Sequence, residues 1–161
     1  MIKLVLFFII IWGLVGCKDM PCINVNITPV FVGFSKSDID TIIIRKFKKS
    51  DNFSNLYDTA LITNNSAYYK TSNDTTVVDL SYSGEDFKCL LPDNDWQIYI
   101  PAKNVTISLS NINSPQTEVS CFGCGCTNPI TSFIQNGQLN YPQSEYNGVI
   151  AGSYCVAYIH N

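Results

Sequence analysis

The chain has a single histidine, His160, and it is the second-last of 161 residues. Serine–histidine or cysteine–histidine catalysis needs an imidazole held beside the nucleophile, so one terminal histidine leaves that chemistry without a base. His160 reads as a frayed end. Positive charge is scarce too: ten Lys and Arg stand against thirteen Asp and Glu, for a formal charge of −3. A nucleic-acid binder needs a basic patch, and a polybasic membrane binder needs lysine and arginine clusters; neither is present. No apolar run reaches the ~20 residues that span a bilayer. No window of about 11 residues repeats apolar positions at i, i+3, i+4 and i+7, so amphipathic helix is not expected. There is no internal repeat, low-complexity linker or second composition, which leaves one domain.

What is present begins at the N-terminus. Met1, Ile2 and Lys3 make a short charged start, Leu4 to Val15 is almost unbroken apolar sequence, and Gly16 precedes Cys17. A positive start, a 7–15-residue apolar stretch and a small residue at the cut site mark an export signal. Leu14-Val15-Gly16-Cys17 resembles the lipobox of bacterial lipoproteins, in particular small outer-membrane lipoproteins of Bacteroidota. The resemblance covers these four residues and the apolar run before them. It implies that residues 1–16 are removed as signal peptide and that Cys17 carries a diacylglyceryl group on sulfur and an acyl group on its new amino terminus. Each buried methylene contributes ~0.8 kcal/mol, and two chains already anchor stably. Residues 17–21 would form the lipidated end and a short tether, and 22–161 the domain. Lys18-Asp19-Met20 partly matches the surface-display signal of such lipoproteins, which favours the outer face of the outer membrane over the periplasmic face. Loss of Lys3 makes the mature chain one unit more negative, so lipid on Cys17, not surface charge, is the expected membrane contact.

The remainder is rich in Asn, Ser, Thr, Ile, Val and Tyr, a balance that favours strands. Ile23, Val25 and Ile27 alternate with polar residues, then Val30, Val32 and Phe34 take the opposite parity. A one-residue slip turns every side chain over, which predicts a bulge or break at Thr28-Pro29. Thr41 to Ile44 are β-branched and predict an interior strand running into charged residues up to Lys49. Short strands are expected at Tyr57–Thr63, Thr76–Tyr82 and Phe87–Leu91. Trp96, Ile98 and Ile100 share one face of another, which places Trp96 in the core, and Val105, Ile107 and Leu109 alternate most cleanly of all. Asn136-Gly137 between Ser132–Gln135 and Gln138–Tyr141 predicts a type I′ hairpin. Val149–His160 closes the series. About nine short strands with regular turn signals predict an all-β fold, a single β-sandwich of immunoglobulin-like or similar Greek-key type.

With Cys17 given to lipid, Cys22, Cys89, Cys121, Cys124, Cys126 and Cys155 remain. An even number in an exported chain points to disulfides, with 15 pairings open for six cysteines. A bridge closing a long loop contributes about 3–4 kcal/mol. The segment Cys121-Phe122-Gly123-Cys124-Gly125-Cys126 also places three thiolates together, as a zinc or iron–sulfur site does, but lacks a fourth ligand in the motif. The expectation is disulfides with no cofactor and no metal; a Cys-rich metal or redox protein is the less favoured alternative.

No catalytic residues are expected. Asp93-Asn94-Asp95 resembles part of a calcium loop without its glycine or distal glutamate, and reads as a turn. Glu85-Asp86 with Glu118 or Glu145 would be a carboxylate pair of the glycosidase kind, but their spacing gives it no support. Asp40-Thr41-Ile42, Asp58-Thr59-Ala60 and Asp74-Thr75-Thr76 resemble short O-glycosylation signals of exported Bacteroidota proteins. Tyrosines are numerous, and exposed aromatic platforms hold sugars or proteins; Tyr68, Tyr69 and Tyr99 are the expected contacts. The expected function is a lipid-anchored binding or assembly module of the cell envelope, not an enzyme, with a glycan or protein ligand and no nucleic acid. The alternative is a structural accessory subunit of an outer-membrane complex.

Overall fold

The computed structural model describes residues 20–63, 68–72, 75–79, 90–116, 118–119, 127–142, 145–146, 149–150 and 155–161. The signal segment, Cys17, Cys89 and the whole Cys121–Cys126 segment lie outside them. Among the described residues the fold is all-β, with only two three-residue 3₁₀ turns, Lys36–Asp38 and Pro101–Lys103. Among these described residues no helix is long and apolar enough to cross a membrane.

Ten strands build two sheets. They are β1 (Ile27–Val32), β2 (Thr41–Lys48), β3 (Leu56–Thr63), β4 (Tyr68–Ser72), β5 (Thr75–Asp79), β6 (Asn94–Ile100), β7 (Val105–Asn113), β8 (Ser132–Gln135), β9 (Gln138–Asn140) and β10 (Cys155–His160). The larger sheet has the order β9-β8-β7-β6-β2-β3 and the smaller β10-β1-β5-β4. All neighbours are antiparallel except β10 and β1, which run parallel. Short two-residue pairs, such as Ile23–Asn24 beside Thr127–Asn128, lie outside the two sheets.

One apolar cluster joins them. Ile27 and Phe31 of β1, Val78 of β5, and Ala157 and Ile159 of β10 pack with Ile42, Ile44, Trp96, Ile98, Leu109 and Phe133 of the larger sheet. The period-2 alternation of β6 is realised as expected: Trp96, Ile98 and Ile100 are buried, and Gln97 and Tyr99 are half-buried on the other face. Trp96 is 1% exposed, and its indole nitrogen donates to the Leu91 carbonyl at 2.9 Å, satisfying the one polar atom it brings into the core. β2 is an interior strand, between β3 and β6.

The expected slip at Thr28-Pro29 does not occur. β1 pairs with β10 without register shift from Ile27 to Val32. Both faces of β1 are covered: Ile27 and Phe31 face the main core, and Val30 and Val32 form a second cluster with Val156, Val77 and Tyr158. A strand buried on both sides reads as apolar at either parity. Gly33, at φ +77, then turns the chain so that Phe34 meets Phe31 edge-on, with ring centroids 5.7 Å apart. A different irregularity was not legible. In β7 the buried positions are Ile107, Leu109 and Ile112, because the register against β8 shifts and Asn111 takes φ +47.

Asp95 explains how that bulge is held. It is 1% exposed, and its carboxylate accepts from the backbone N–H of Ser50 (2.8 Å) and of Asn111 (3.3 Å). The side-chain amide of the adjacent Asn94 donates to the Phe47 carbonyl. The Asp93-Asn94-Asp95 segment thus opens β6 and ties to it the turn after β2 and the bulge of β7.

Candidate functional site

Tyr99 is not a free platform. It lies on the outer face of β6, its hydroxyl donates to Asn104 Oδ1 at 3.2 Å, and the Arg45 guanidinium sits 5.5 Å from its ring centroid. A cation over an aromatic face occupies the surface that a stacking ligand would use. Tyr68 and Tyr69 open β4, paired with Asp79 and Val78; their side chains lie outside the described parts. The structure therefore does not gather the three expected contacts into one described site.

A cleft of about 300 Å³ lies elsewhere, where the β8–β9 hairpin approaches β10. The hairpin forms because Asn136 (φ +50) and Gly137 (φ +82) take the left-handed conformations of a type I′ turn, as the sequence predicts. Asn136 is locked onto β7, its N–H donating to the Ser108 carbonyl at 2.9 Å and its Oδ1 accepting from Ser108 N at 2.8 Å. Gln138 and Asn140 of β9 pair with Gln135 and Phe133 of β8, so all four share one side of the hairpin. These four and Asn136 line one wall. Tyr141, 67% exposed, lines it just beyond β9. From β10 come Val156, Tyr158 and His160, on the strand face opposite Ala157 and Ile159. Gln135 Nε2 donates to the Tyr158 carbonyl at 2.7 Å and bridges the two walls.

His160 is a correction. It is not frayed: it pairs with Val32 in the parallel ladder, and Asn161 donates from its backbone to the Val32 carbonyl and from its side chain to the Gly33 carbonyl, both at 3.1 Å. Backbone pairing to the chain's own first long strand ties the terminus down. The signal that finds this cleft in the sequence is the Gln-Asn-Gly-Gln-Leu-Asn-Tyr run from Gln135 to Tyr141. It reads as a plain turn until β10 is placed beside it.

No protein-family model, curated protein or solved structure matches the chain. Its function therefore has to be argued from its own residues.

Cys22 is buried and disulfide-bonded. Its carbonyl accepts from the amide of Asn128 at 3.0 Å. Asn128 is fully buried, donates also to Gln116 Oε1, and accepts from Val25 N on its own carbonyl. This knot fixes the entry of the chain into the domain. Cys155 opens β10, opposite Ile27. Among the described residues no group of three or more His, Cys, Asp or Glu side chains converges as a metal site. Glu85 and Asp86 lie outside the described residues, as do the side chains of Glu118 and Glu145. Of the three Asp-Thr triplets, Thr59 is exposed, Thr41 half-buried and Thr75 1% exposed. Thr59 is thus the most exposed of the three.

Proposed function

We propose that the protein is a lipid-anchored, non-catalytic binding module of the cell envelope. It is tethered through Cys17 to the outer membrane, with a β-sandwich body of immunoglobulin-like or similar Greek-key type facing outward. The apolar run ending in Leu14-Val15-Gly16-Cys17 supports the anchor, and the core shared by two sheets supports the sandwich. The observation that carries the binding reading is the cleft: its lining offers amides and aromatic rings, the groups that orient and cover a ligand. In this reading Cys22, Cys89, Cys121, Cys124, Cys126 and Cys155 are paired with one another as disulfides, and the domain works in an oxidising compartment.

The anchor is tested on the native N-terminus. Mass spectrometry is expected to find acylated Cys17, and Cys17→Ser is expected to leave the chain unacylated with residues 1–16 still attached. A mature chain with unmodified Cys17, or wild-type protein free in the culture fluid, overturns the reading. A second reading is favoured by the apolar side chains along β3, the edge of the larger sheet: Leu56 is 52% and Leu61 60% exposed. Edge strands with exposed apolar side chains invite pairing, which suits an accessory subunit of an outer-membrane complex. A stoichiometric partner recovered in mild detergent and lost on Leu61→Lys would establish it.

A further inference from the structure

We propose that the cleft between the β8–β9 hairpin and β10 binds a neutral carbohydrate. This deepens the binding-module reading and rests on it.

The chemistry of the lining selects the ligand class. Among the described residues that line the cleft there is no carboxylate, ammonium or guanidinium, and His160 is the one basic side chain, so the lining offers little charge with which to hold an anionic or cationic group. It has amides instead. A side-chain amide presents donors and an acceptor in one plane, which matches the donor-and-acceptor hydroxyls of a sugar. Three of these amides are fixed on one side by the protein. Gln135 Nε2 is committed to the Tyr158 carbonyl (2.7 Å), Asn136 Oδ1 to Ser108 N (2.8 Å) and Asn140 Nδ2 to the Gln138 carbonyl (2.9 Å). Each is thereby oriented, with Gln135 Oε1, Asn136 Nδ2 and Asn140 Oδ1 left for a ligand. Oriented polar groups lose less freedom on binding, which matters for a ligand as well hydrated as a sugar.

The third component is an aromatic face. Tyr141 is 67% exposed at the mouth of the cleft. A tyrosine ring is apolar on its face and polar at its tip, so it covers the C–H face of a pyranose while the amides take the hydroxyls. A volume of about 300 Å³ lies at the small end of ligand sites, which suits a chain end or a short oligosaccharide more than a long polymer groove.

The test uses the full lipidated protein in amine-oxide detergent, since detergents with sugar headgroups would compete. Neutral cello-, malto-, manno- and chito-oligosaccharides are titrated by calorimetry, with oligogalacturonate as the charged counterpart. At least one neutral series is expected to bind saturably. Tyr141→Ala is expected to weaken it by about tenfold or more, and Gln138→Ala severalfold. Tyr57→Ala, at the far edge of the larger sheet, is expected to bind like wild type. Tyr141 and Gln138 are exposed, and unchanged thermal melts will show that the variants fold. The proposal is overturned if no neutral series binds, if only the uronate binds, or if both cleft variants bind like wild type. Its failure is separable from that of the binding-module reading: a protein ligand whose binding Tyr141→Ala abolishes keeps the module and removes the carbohydrate.

Discussion

At the scale of single residues, buried polar side chains carry more information than buried apolar ones. Asp95 looks like a turn residue in sequence, yet its carboxylate is shared between the N–H groups of Ser50 and Asn111, from two different parts of the chain. Replacing it by alanine leaves two part-buried donors unpaired, at about 1–3 kcal/mol each. Asp95→Ala is expected to lower the urea midpoint strongly, while Gln138→Ala, at an exposed position, is expected to leave it nearly unchanged. A similar midpoint for both would contradict the assignment. Trp96 was legible as core because its neighbours alternate. Asp95 was not, because nothing in sequence tells a turn acid from an acid that accepts bonds across a sheet.

At the scale of elements, two devices are open to test. Gly137 sits at φ +82 in the β8–β9 turn, with nothing within 4 Å of where a Cβ would stand. The penalty of Gly137→Ala is therefore purely one of backbone conformation, about 1–2 kcal/mol. It is expected to loosen the hairpin and to show as faster amide exchange at Gln135 and Gln138.

The second device is the Lys36–Asp38 turn. Ser35 Oγ accepts from Asp38 N at 3.3 Å, Asp38 Oδ2 accepts from Ser35 N at 2.9 Å, and Lys103 reaches the same carboxylate at 3.3 Å. The Ser35 backbone N–H, then its hydroxyl and Lys103, hold the Asp38 carboxyl below its ordinary value of 3.8, against a smaller opposing effect of burial. A carboxyl lowered on folding stabilises the native state fully above its unfolded value, and the benefit falls away as pH drops through the lowered one. Wild-type stability is expected to fall more steeply below pH 3.8 than that of Asp38→Asn, by a small margin at this exposed site. Thermal melts between neutral pH and pH 2 will compare the two slopes.

At the scale of the whole molecule, the two ends of the domain are fastened together. β10 runs parallel to β1 over six residue pairs, and Cys22, just before β1, is disulfide-bonded and held by Asn128. Reduction is expected to lower the melting temperature reversibly, since losing a native disulfide from a small domain costs about 2–5 kcal/mol. An unchanged melt after complete reduction would show that the bridge contributes little to the fold.

The alternation of β6 and β7, the Asn-Gly hairpin and the β-rich class were written in local periodicity and turn chemistry, which act between near neighbours. The route of β1 was misread at Thr28-Pro29 because Val30 and Val32 are buried on the face opposite Ile27 and Phe31, packed beside Val156 and Tyr158 of the neighbouring strand β10, which the chain supplies more than a hundred residues later. Likewise, the polar run from Gln135 to Tyr141 is only a turn until β10 lies beside it. Sequence by itself determined most of the strands and the Asn136-Gly137 turn, because spacing and side-chain chemistry suffice for these. Only the tertiary structure decided which faces are covered and where a cleft opens, because both depend on contacts between segments far apart in the chain.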